Sequence, residues 1–229
     1  MWIKICANTN LEDATLAAEL GADALGFVFA PSPRRLTPRQ VAAITPHLPP
    51  EVEKIGVFLS LDFDEIAATI RTAGLTGAQL HGGFSSALIE SLAYEFPALR
   101  IIQTTHWNVD PSAPAVQIHA AALATLRSTP HLDAVLVDSR TATASGGTGI
   151  AFDWNAARDS LSALAPMPLI VAGGLHHENV QQAVTILEPW GVDVASGVEA
   201  CPGRKDSEKL AAFLENARKS PNNPASPGK

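Results

Sequence analysis

Eight short apolar runs alternate with longer helical patterns along almost the whole chain. The runs are rich in Val, Ile and Leu and cover residues 2–6, 24–29, 54–59, 77–80, 100–104, 134–137, 169–172 and 192–195. Such short, nearly continuous runs are typical of parallel strands that are buried on both faces of a sheet. Eight strand–helix units in 229 residues predict an α/β fold, the closed (β/α)8 or TIM barrel, which usually takes about 250 residues. The alternative is an open, doubly wound sheet.

The helical patterns carry start and stop signals. Asp62, with Glu65 three residues later, is typical of a helix N-terminus, and Gly74 ends the same pattern. Asn10 is expected to cap the first helix. Residues 105–114 have the composition of a loop, so we expect no regular structure there.

A single domain accounts for the whole pattern, and we assign residues 1–218 to the barrel. The chain is 46% hydrophobic and 17% charged, which provides enough apolar surface to offset the entropy of ordering most of it. Residues 219–229 are polar and rich in proline. We expect this C-terminal tail to be disordered.

Charge and cysteine usage exclude several classes of function. Sixteen basic and 23 acidic residues give a formal net charge of -7 without a Lys/Arg cluster, which argues against a nucleic-acid partner. Charged or strongly polar side chains interrupt every stretch long enough to be a membrane span, so we expect none. Two cysteines and no signal-peptide pattern at the N-terminus favour a cytoplasmic protein.

Polar residues at the carboxyl ends of the predicted strands are the candidates for chemistry, because TIM-barrel active sites lie at that end. Cys6 ends the first run, His81 follows the fourth, and Asp138 follows the sixth. Arg34 comes after the second run, in a Ser-Pro-Arg-Arg segment. We therefore consider these four side chains first.

Glycine-rich turns follow the last two runs. Gly173 and Gly174 come after the seventh run, and Ser196 and Gly197 come after the eighth. Strand-to-helix turns often need glycine for local reasons, but glycine also lets the backbone approach an anion closely. Phosphate sites built from these two loops recur in TIM barrels, so the pair favours a phosphate-binding site.

Cys6 and Asp138 each have a chemical and a structural interpretation. A cysteine acts as a general base or nucleophile when its thiol pKa is lowered, whereas a lone cysteine is more often a small buried apolar side chain. Burial after the run Ala-Val-Leu-Val would raise the pKa of Asp138 and suit it to donate a proton. The structural alternatives are that Asp138 caps a turn or pairs with Arg140.

Arg34 and His81 are also open to two interpretations. Arg34 either holds a carboxylate through two hydrogen bonds or is a solvated loop side chain. His81 either contacts substrate or is a hydrogen-bonded structural histidine. No set of His, Cys and carboxylate residues has zinc-like spacing, and no G-x-G-x-x-G segment follows a strand. We therefore expect no metal and no dinucleotide cofactor.

Several segments, in this order, resemble the phosphoribosylanthranilate isomerase family of tryptophan biosynthesis, over nearly the whole chain. They are Lys-Ile-Cys at 4–6, Gly-Phe-Val-Phe at 26–29, Ser-Pro-Arg at 32–34, Gln-Leu-His-Gly at 79–82, Gly-Gly-Thr-Gly at 146–149, Ala-Gly-Gly-Leu at 172–175, Val-Asp-Val-Ala-Ser-Gly-Val-Glu at 192–199 and Gly-Arg-Lys-Asp at 203–206. Each segment alone is weak evidence, but their order and spacing together are specific.

The resemblance implies an Amadori rearrangement that needs no cofactor. The phosphorylated aminoaldose N-(5-phosphoribosyl)anthranilate would become the ketose 1-(2-carboxyphenylamino)-1-deoxyribulose 5-phosphate. The family pattern makes Asp138 the general acid and Cys6 the general base. It also implies that Arg34 binds the anthranilate moiety of the substrate. Under this assignment the substrate-binding residues are Arg34, His81, Gly147, Gly173, Gly174, Ser196 and Gly197. The protein would be a monomer or a homodimer.

Two positions depart from the family pattern. Ala7 stands where the family usually has glycine after the cysteine, and Ile150 stands where a basic residue is common. If position 7 needs a left-handed backbone, alanine costs about 1 kcal/mol there. A non-catalytic or diverged phosphosugar-binding barrel is therefore the alternative to an enzyme. Another phosphosugar barrel and an isomerase of broadened substrate range are further alternatives.

Overall fold

The structure, a computed structural model, describes residues 1–108, 120–141, 144–145 and 151–219. Its barrel strands lie close to the eight predicted runs. They are β1 (Trp2–Ile5), β2 (Ala24–Val28), β3 (Glu53–Phe58), β4 (Gly77–Leu80), β5 (Arg100–Asn108), β6 (Ala134–Thr141), β7 (Leu169–Val171) and β8 (Gly191–Val194). Shorter strands at Ala144–Ser145, Glu199–Cys201 and Arg204–Lys205 lie in the connections after β6 and β8.

Helices alternate with the strands. They are α1 (Leu11–Glu19), α2 (Pro38–Ala42), α3 (Phe63–Ala73), α4 (Ser86–Glu95), α5 (Ala120–Ser128), α6 (Trp154–Ser162), α7 (Val180–Leu187) and α8 (Ser207–Arg218), with single 3-10 turns at Thr45–His47 and Ser196–Val198. None of the helices in the described ranges is long and apolar enough to cross a bilayer. The domain boundary after residue 218 stays a prediction, and residues 220–229 of the predicted tail lie outside the described residues.

Pairing between β5 and β6 closes the sheet into a barrel. Neighbouring strands pair in the order β5–β4–β3–β2–β1–β8–β7–β6, and β6 pairs again with β5. The parallel register sets Ile5 beside Val194 between β1 and β8, and Ile102 beside Ala134 between β5 and β6. An open sheet would leave β5 and β6 as unpaired edges. The prediction of a (β/α)8 barrel is therefore confirmed.

The predicted helix signals are confirmed. The Asn10 side chain accepts a hydrogen bond from the Asp13 backbone at 2.8 Å and begins α1. The Asp62 carboxylate accepts from the Glu65 backbone at 3.0 Å and begins α3. Gly74 ends α3 in the left-handed conformation. Local chemistry alone therefore sets where these helices begin and end.

Strand β5 is longer than the sequence pattern predicts. Residues 105–108, predicted to be loop, continue the strand, so that prediction is wrong for this part. The reason is pairing with β6, which sets His106 opposite Asp138, and local composition does not report such a long-range contact. Trp107 is buried as part of the same extension. Residues 109–114 of the predicted loop lie outside the described residues.

The barrel interior is apolar at one level and polar at the next. An inner apolar cluster consists of Trp2, Ala24, Ile55, Ile102, Ala134, Leu136, Ile170 and Ala172. Successive side chains of a strand point to opposite faces of the sheet. Lys4 and Cys6 follow Trp2 by two and four residues, so they face the same barrel interior as Trp2. The fold thus carries charged and reactive groups into the barrel toward the carboxyl ends of its strands.

Candidate active site

Cys6 lies directly after β1, at the carboxyl end of the strand. Its thiol is buried, and the neighbouring β2 passes it at Gly26. A Cβ atom at Gly26 would lie 2.7 Å from the Cys6 Sγ and 3.0 Å from the Lys4 Cε. These distances are too short for any side chain at position 26. Glycine at this point of β2 therefore makes the room in which Cys6 and Lys4 sit.

The turn after Cys6 is held by Asn8. Its backbone N–H donates to the Gly26 carbonyl at 2.9 Å, and its side-chain amide donates to the Ile5 carbonyl at 2.7 Å. Ala7 is buried and has a left-handed backbone, with φ of 62°. This is the conformation in which alanine in place of the family glycine carries a strain of about 1–2 kcal/mol. The departure at position 7 is therefore a strained residue next to the candidate base.

Substituting Ala7→Gly is expected to raise the free energy of unfolding by about 0.5–1 kcal/mol. This gain is the relieved strain less the entropy that glycine adds to the unfolded chain. Urea denaturation measures it. Ala14→Gly, at a buried position within α1, is the control and should lower the free energy of unfolding by roughly 1 kcal/mol. A destabilised Ala7→Gly variant would contradict this account of position 7.

A buried ion pair lies beneath Cys6. The Lys4 Nζ donates to the Asp193 Oδ1 at 3.0 Å and joins β1 to β8. Burial by itself lowers the pKa of Lys4, but the attraction of Asp193 and of Cys6 outweighs it and raises the pKa above 10.5. Lys4 is therefore a permanently charged ammonium group at neutral pH.

The thiol of Cys6 is under opposing electrostatic influences. Burial raises its pKa above 9.0, and the negative charge of Asp193 adds to that rise. The positive charges of Lys4 and Lys205 act in the opposite direction, with Lys4 the stronger. A thiolate at Cys6 needs a nearby cation, and the tertiary structure supplies two. Cys6 therefore rests as a thiol beside two groups that stabilise its ionised form.

Arg34 is fixed by a residue of the loop after β8. Its Nε donates to the Glu199 Oε1 at 2.9 Å and its Nη2 donates to the Oε2 at 2.6 Å. The Lys205 Nζ lies 3.6 Å from the same carboxylate and donates to the Cys6 carbonyl at 2.6 Å. Only 20% of the Arg34 side chain is exposed. Arg34 is therefore a positioned group close to Cys6 and not a solvated loop side chain.

Asp138 is a buried carboxyl group on β6. Burial and the nearby Asp193 carboxylate raise its pKa from 3.8 to about 7, against weaker opposing effects of the Ser139 backbone N–H and the Lys4 charge. A carboxyl group with a pKa near neutrality is suited to proton donation. The alternative ion pair with Arg140 lies outside the described side chains.

Four predicted phosphate-binding residues line a single cavity of about 60 Å³, namely Gly173, Gly174, Ser196 and Gly197. Asp138 lines the same cavity. A Cβ atom at Gly173, whose φ is 80°, would lie 2.8 Å from the Asp138 Oδ1. Glycine there keeps the carboxyl group open to the glycine-rich loops. Gly147 lies outside the described residues.

His81 lies directly after β4, at the carboxyl end of that strand. Its backbone N–H donates to the Phe58 carbonyl at 2.8 Å. Its imidazole meets that of His106 edge to face, with ring centroids 4.9 Å apart. The two half-buried rings line a cavity of about 590 Å³ at the ends of β4 and β5.

Comparison with a family sequence profile identifies the family of this chain. The profile described as N-(5'phosphoribosyl)anthranilate (PRA) isomerase matches residues 3–216. The chain belongs to the PRA isomerase family. The prediction of an isomerase of tryptophan biosynthesis is confirmed at this level.

Relatives of the family share its length and fold. A protein named N-(5'-phosphoribosyl)anthranilate isomerase from Geobacter sp. (strain M21) is 40% identical over 218 residues, 95% of this chain and 98% of the relative. A solved phosphoribosyl anthranilate isomerase from Thermus thermophilus is 35% identical, with a TM-score of 0.78 over 94% of this chain and 98% of that chain. Another was solved in complex with reduced 1-(o-carboxyphenylamino)-1-deoxyribulose 5-phosphate. It is 32% identical, with a TM-score of 0.78 over 95% of this chain and 98% of that chain.

In this chain the sequence patterns did not reveal the groups that surround the candidate acid and base. The sequence does mark Lys4 and Asp193 as unusual, because each is a charged residue inside an otherwise apolar run. Glu199 and Lys205 belong to segments that resemble the family, but no local pattern linked them to Arg34 or Cys6. His106 fell in a predicted loop. Their neighbours lie on other strands, so only the closed barrel reveals the contacts.

Proposed function

We propose that this protein converts N-(5-phosphoribosyl)anthranilate to 1-(2-carboxyphenylamino)-1-deoxyribulose 5-phosphate, with Asp138 as general acid and Cys6 as general base. The observation that carries the proposal is the raised pKa, about 7, of a buried carboxyl group beside the glycine-rich cavity of a PRA isomerase fold. The reaction moves hydrogen within one molecule and has no net redox change. That the reaction needs no cofactor stays a prediction.

The two proton transfers use groups on different strands. Asp138 protonates the ribose ring oxygen, and the bond between that oxygen and the anomeric carbon breaks to give an imine. Cys6 then removes the proton from the adjacent carbon, which leaves an enolamine that tautomerises to the ketone. Two strands, β7 and β8, separate β6 from β1 in the sheet order. The acid and the base can therefore flank a substrate that lies across the barrel mouth.

The substrate's negative groups have matching partners. Gly173, Gly174, Ser196 and Gly197 supply closely approachable backbone for the phosphate. The Nε and Nη2 edge of Arg34 is occupied by Glu199, and the opposite edge of the guanidinium suits the anthranilate carboxylate. We assign a substrate contact to His81 on its position at the mouth. Glu199 acts as a positioning residue for Arg34.

The proposed roles predict an unusual order of ionisation. The pKa of Asp138 is about 7, and burial raises the pKa of Cys6 above 9.0. Between these values the single shared proton resides mainly on Cys6, whereas catalysis needs it on Asp138. The active form is therefore a minority species, which the cations Lys4 and Lys205 make accessible.

The pH profile of kcat/KM follows from this order. We expect kcat/KM to rise as pH increases through about 7, because the fully protonated enzyme has no base. It should then stay level until Cys6 ionises, because the fraction of the active species is constant between the two pKa values. Initial rates from about pH 6 to about pH 9 at low substrate concentration measure this profile. A fall in kcat/KM just above pH 7 would contradict the assigned order.

A coupled fluorescence assay tests the activity itself. Anthranilate and phosphoribosyl pyrophosphate, with the transferase that joins them, generate the unstable substrate in place, and its fluorescence is lost on isomerisation. Turnover by the wild type supports the proposal. Binding of a product analogue without turnover, in a folded protein, would instead identify a non-catalytic phosphosugar-binding barrel. The same preparation, analysed by light scattering, tests the predicted monomer or homodimer.

A further inference from the structure

Three side chains that commonly bind transition metals, Asp138 among them, lie close together. His81 follows β4, His106 lies on β5 and Asp138 lies on β6, so three neighbouring strands each supply one group. One ligand atom of each residue lies within 4.8 Å of those of the other two. The strand register sets His106 opposite Asp138, and the two imidazole planes cross at 73°.

The cluster is reachable from solvent on its histidine side. His81 and His106 are half-buried and line the cavity of about 590 Å³ at the barrel mouth. Asp138 is buried, and its carboxylate lies within 4.8 Å of a nitrogen of each imidazole. An ion that enters through this cavity meets two imidazole rings first and the carboxylate next. Such a path is what a metal site in an otherwise packed interior requires.

We propose that His81, His106 and Asp138 form an inhibitory binding site for a divalent transition-metal ion of the zinc type. Two imidazole nitrogens and one carboxylate oxygen are a donor set that Zn²⁺ uses in sites with an open fourth position. Bond lengths of about 2.0–2.2 Å bring neighbouring ligand atoms to roughly 3.3 Å from one another. Binding at this site therefore requires the two half-buried rings and the carboxylate to rotate until the cluster has that size. Magnesium and calcium prefer all-oxygen sites and fit this set poorly.

Inhibition follows from what the ion does to Asp138. A carboxylate that coordinates the metal holds no proton, so it cannot act as the general acid. The ion also occupies the space beside His81 that the substrate needs. The inhibitory effect rests on the proposed function, whereas binding of the ion does not. Spacing along the chain gave no sign of the site, because its ligands come together only in the closed barrel.

Spectroscopic titration tests the site independently of activity. Full-length protein, freed of metal with a chelator, is titrated with Co²⁺ and its visible ligand-field absorption is recorded. Zn²⁺ is then added to displace it, and calorimetry measures Zn²⁺ binding directly. We expect one equivalent of ion to bind to the wild type. We expect His106→Gln to bind at least about tenfold more weakly, and its activity with Zn²⁺ is compared with its own metal-free activity.

Two controls separate this site from other ligands. His176 and His177 form another histidine contact, with centroids 6.1 Å apart, so His176→Gln removes an imidazole elsewhere and should leave binding unchanged. Cys6→Ser removes the buried thiol of the interior, and the cobalt spectrum should be the same as in the wild type, with no sulfur charge-transfer band in either protein. His81→Gln, used for binding measurements alone, is a second ligand variant if His106→Gln does not fold.

Each outcome bears on the proposal. Equal Zn²⁺ affinity in the wild type and in His106→Gln would overturn it, as would an equal loss in His176→Gln. Binding that leaves isomerisation unaffected would overturn the inhibitory part. Activity that falls with Zn²⁺ in the wild type but not in His106→Gln, and returns with chelator, supports the whole. Cobalt absorption in a wild type that shows no turnover would leave the site standing and refute the proposed function.

Discussion

Substituting Cys6→Ser is expected to lower kcat/KM by roughly 10²–10⁴-fold, the usual contribution of a positioned acid or base. A serine hydroxyl ionises far less readily than a thiol, so Lys4 and Lys205 can no longer stabilise a useful population of base. The environment otherwise changes little, because the hydroxyl fits the buried space beside Gly26. The coupled fluorescence assay measures the loss, and circular dichroism confirms that the barrel is intact.

The second cysteine is the matched control for this variant. Cys201 is exposed and unpaired to any other cysteine, on the short strand Glu199–Cys201. Cys201→Ser should therefore keep kcat/KM within about twofold of the wild type, since surface changes of this kind alter free energies by less than about 0.5 kcal/mol. Comparable activity in Cys6→Ser and the wild type would remove Cys6 from the mechanism.

Substituting Asp138→Asn should abolish most activity and stabilise the fold. Loss of the proton donor is expected to lower kcat/KM by roughly 10²–10⁴-fold and to remove the rise of the pH profile near 7. The wild type buries an ionised carboxylate above that pH, beside the Asp193 carboxylate. A neutral amide avoids this unfavourable burial. We expect the free energy of unfolding at about pH 8 to increase by on the order of 4 kcal/mol, from 1.36 kcal/mol per pKa unit between 3.8 and about 7.

The sign of this stability difference depends on pH. The pKa of Asp138 is higher in the folded protein, about 7, than the unfolded value of 3.8. The carboxyl group therefore favours folding least when both states are ionised, above about pH 7. Below that pH the folded state takes up its proton first, so the advantage of Asp138→Asn should shrink and vanish toward about pH 4. Urea denaturation at several pH values measures it, and a pH-independent difference would contradict the burial account.

Cys6→Ser and Asp138→Asn together distinguish effects on activity from effects on folding stability within the candidate active site. Cys6 is a poor thiolate and Asp138 an unfavourable carboxylate because both lie in the barrel interior. The same burial makes the pKa of Asp138 suitable for proton donation. An acid that catalyses at neutral pH is thus obtained at the expense of folding stability, as is common for catalytic groups.

Local sequence patterns are enough to predict the architecture and the end of the barrel that carries the candidate site. Eight apolar runs, helix caps such as Asn10 and Asp62, and polar residues at strand ends depend on local periodicity and local hydrogen bonding. Those signals survive in a one-dimensional pattern. The order of the family segments added Cys6 and Asp138 as the candidate base and acid.

The electrostatics of Cys6 and Asp138 depend on contacts that form when the barrel closes. The Lys4–Asp193 pair joins residues 189 positions apart, and Arg34 meets Glu199 across 165 positions. The extension of β5 that brings His106 to Asp138 also comes from strand pairing. Burial and distance through space set a pKa, and both are fixed when the barrel closes. A linear pattern holds neither quantity, so the charges around Cys6 and Asp138 had to be found in the folded molecule.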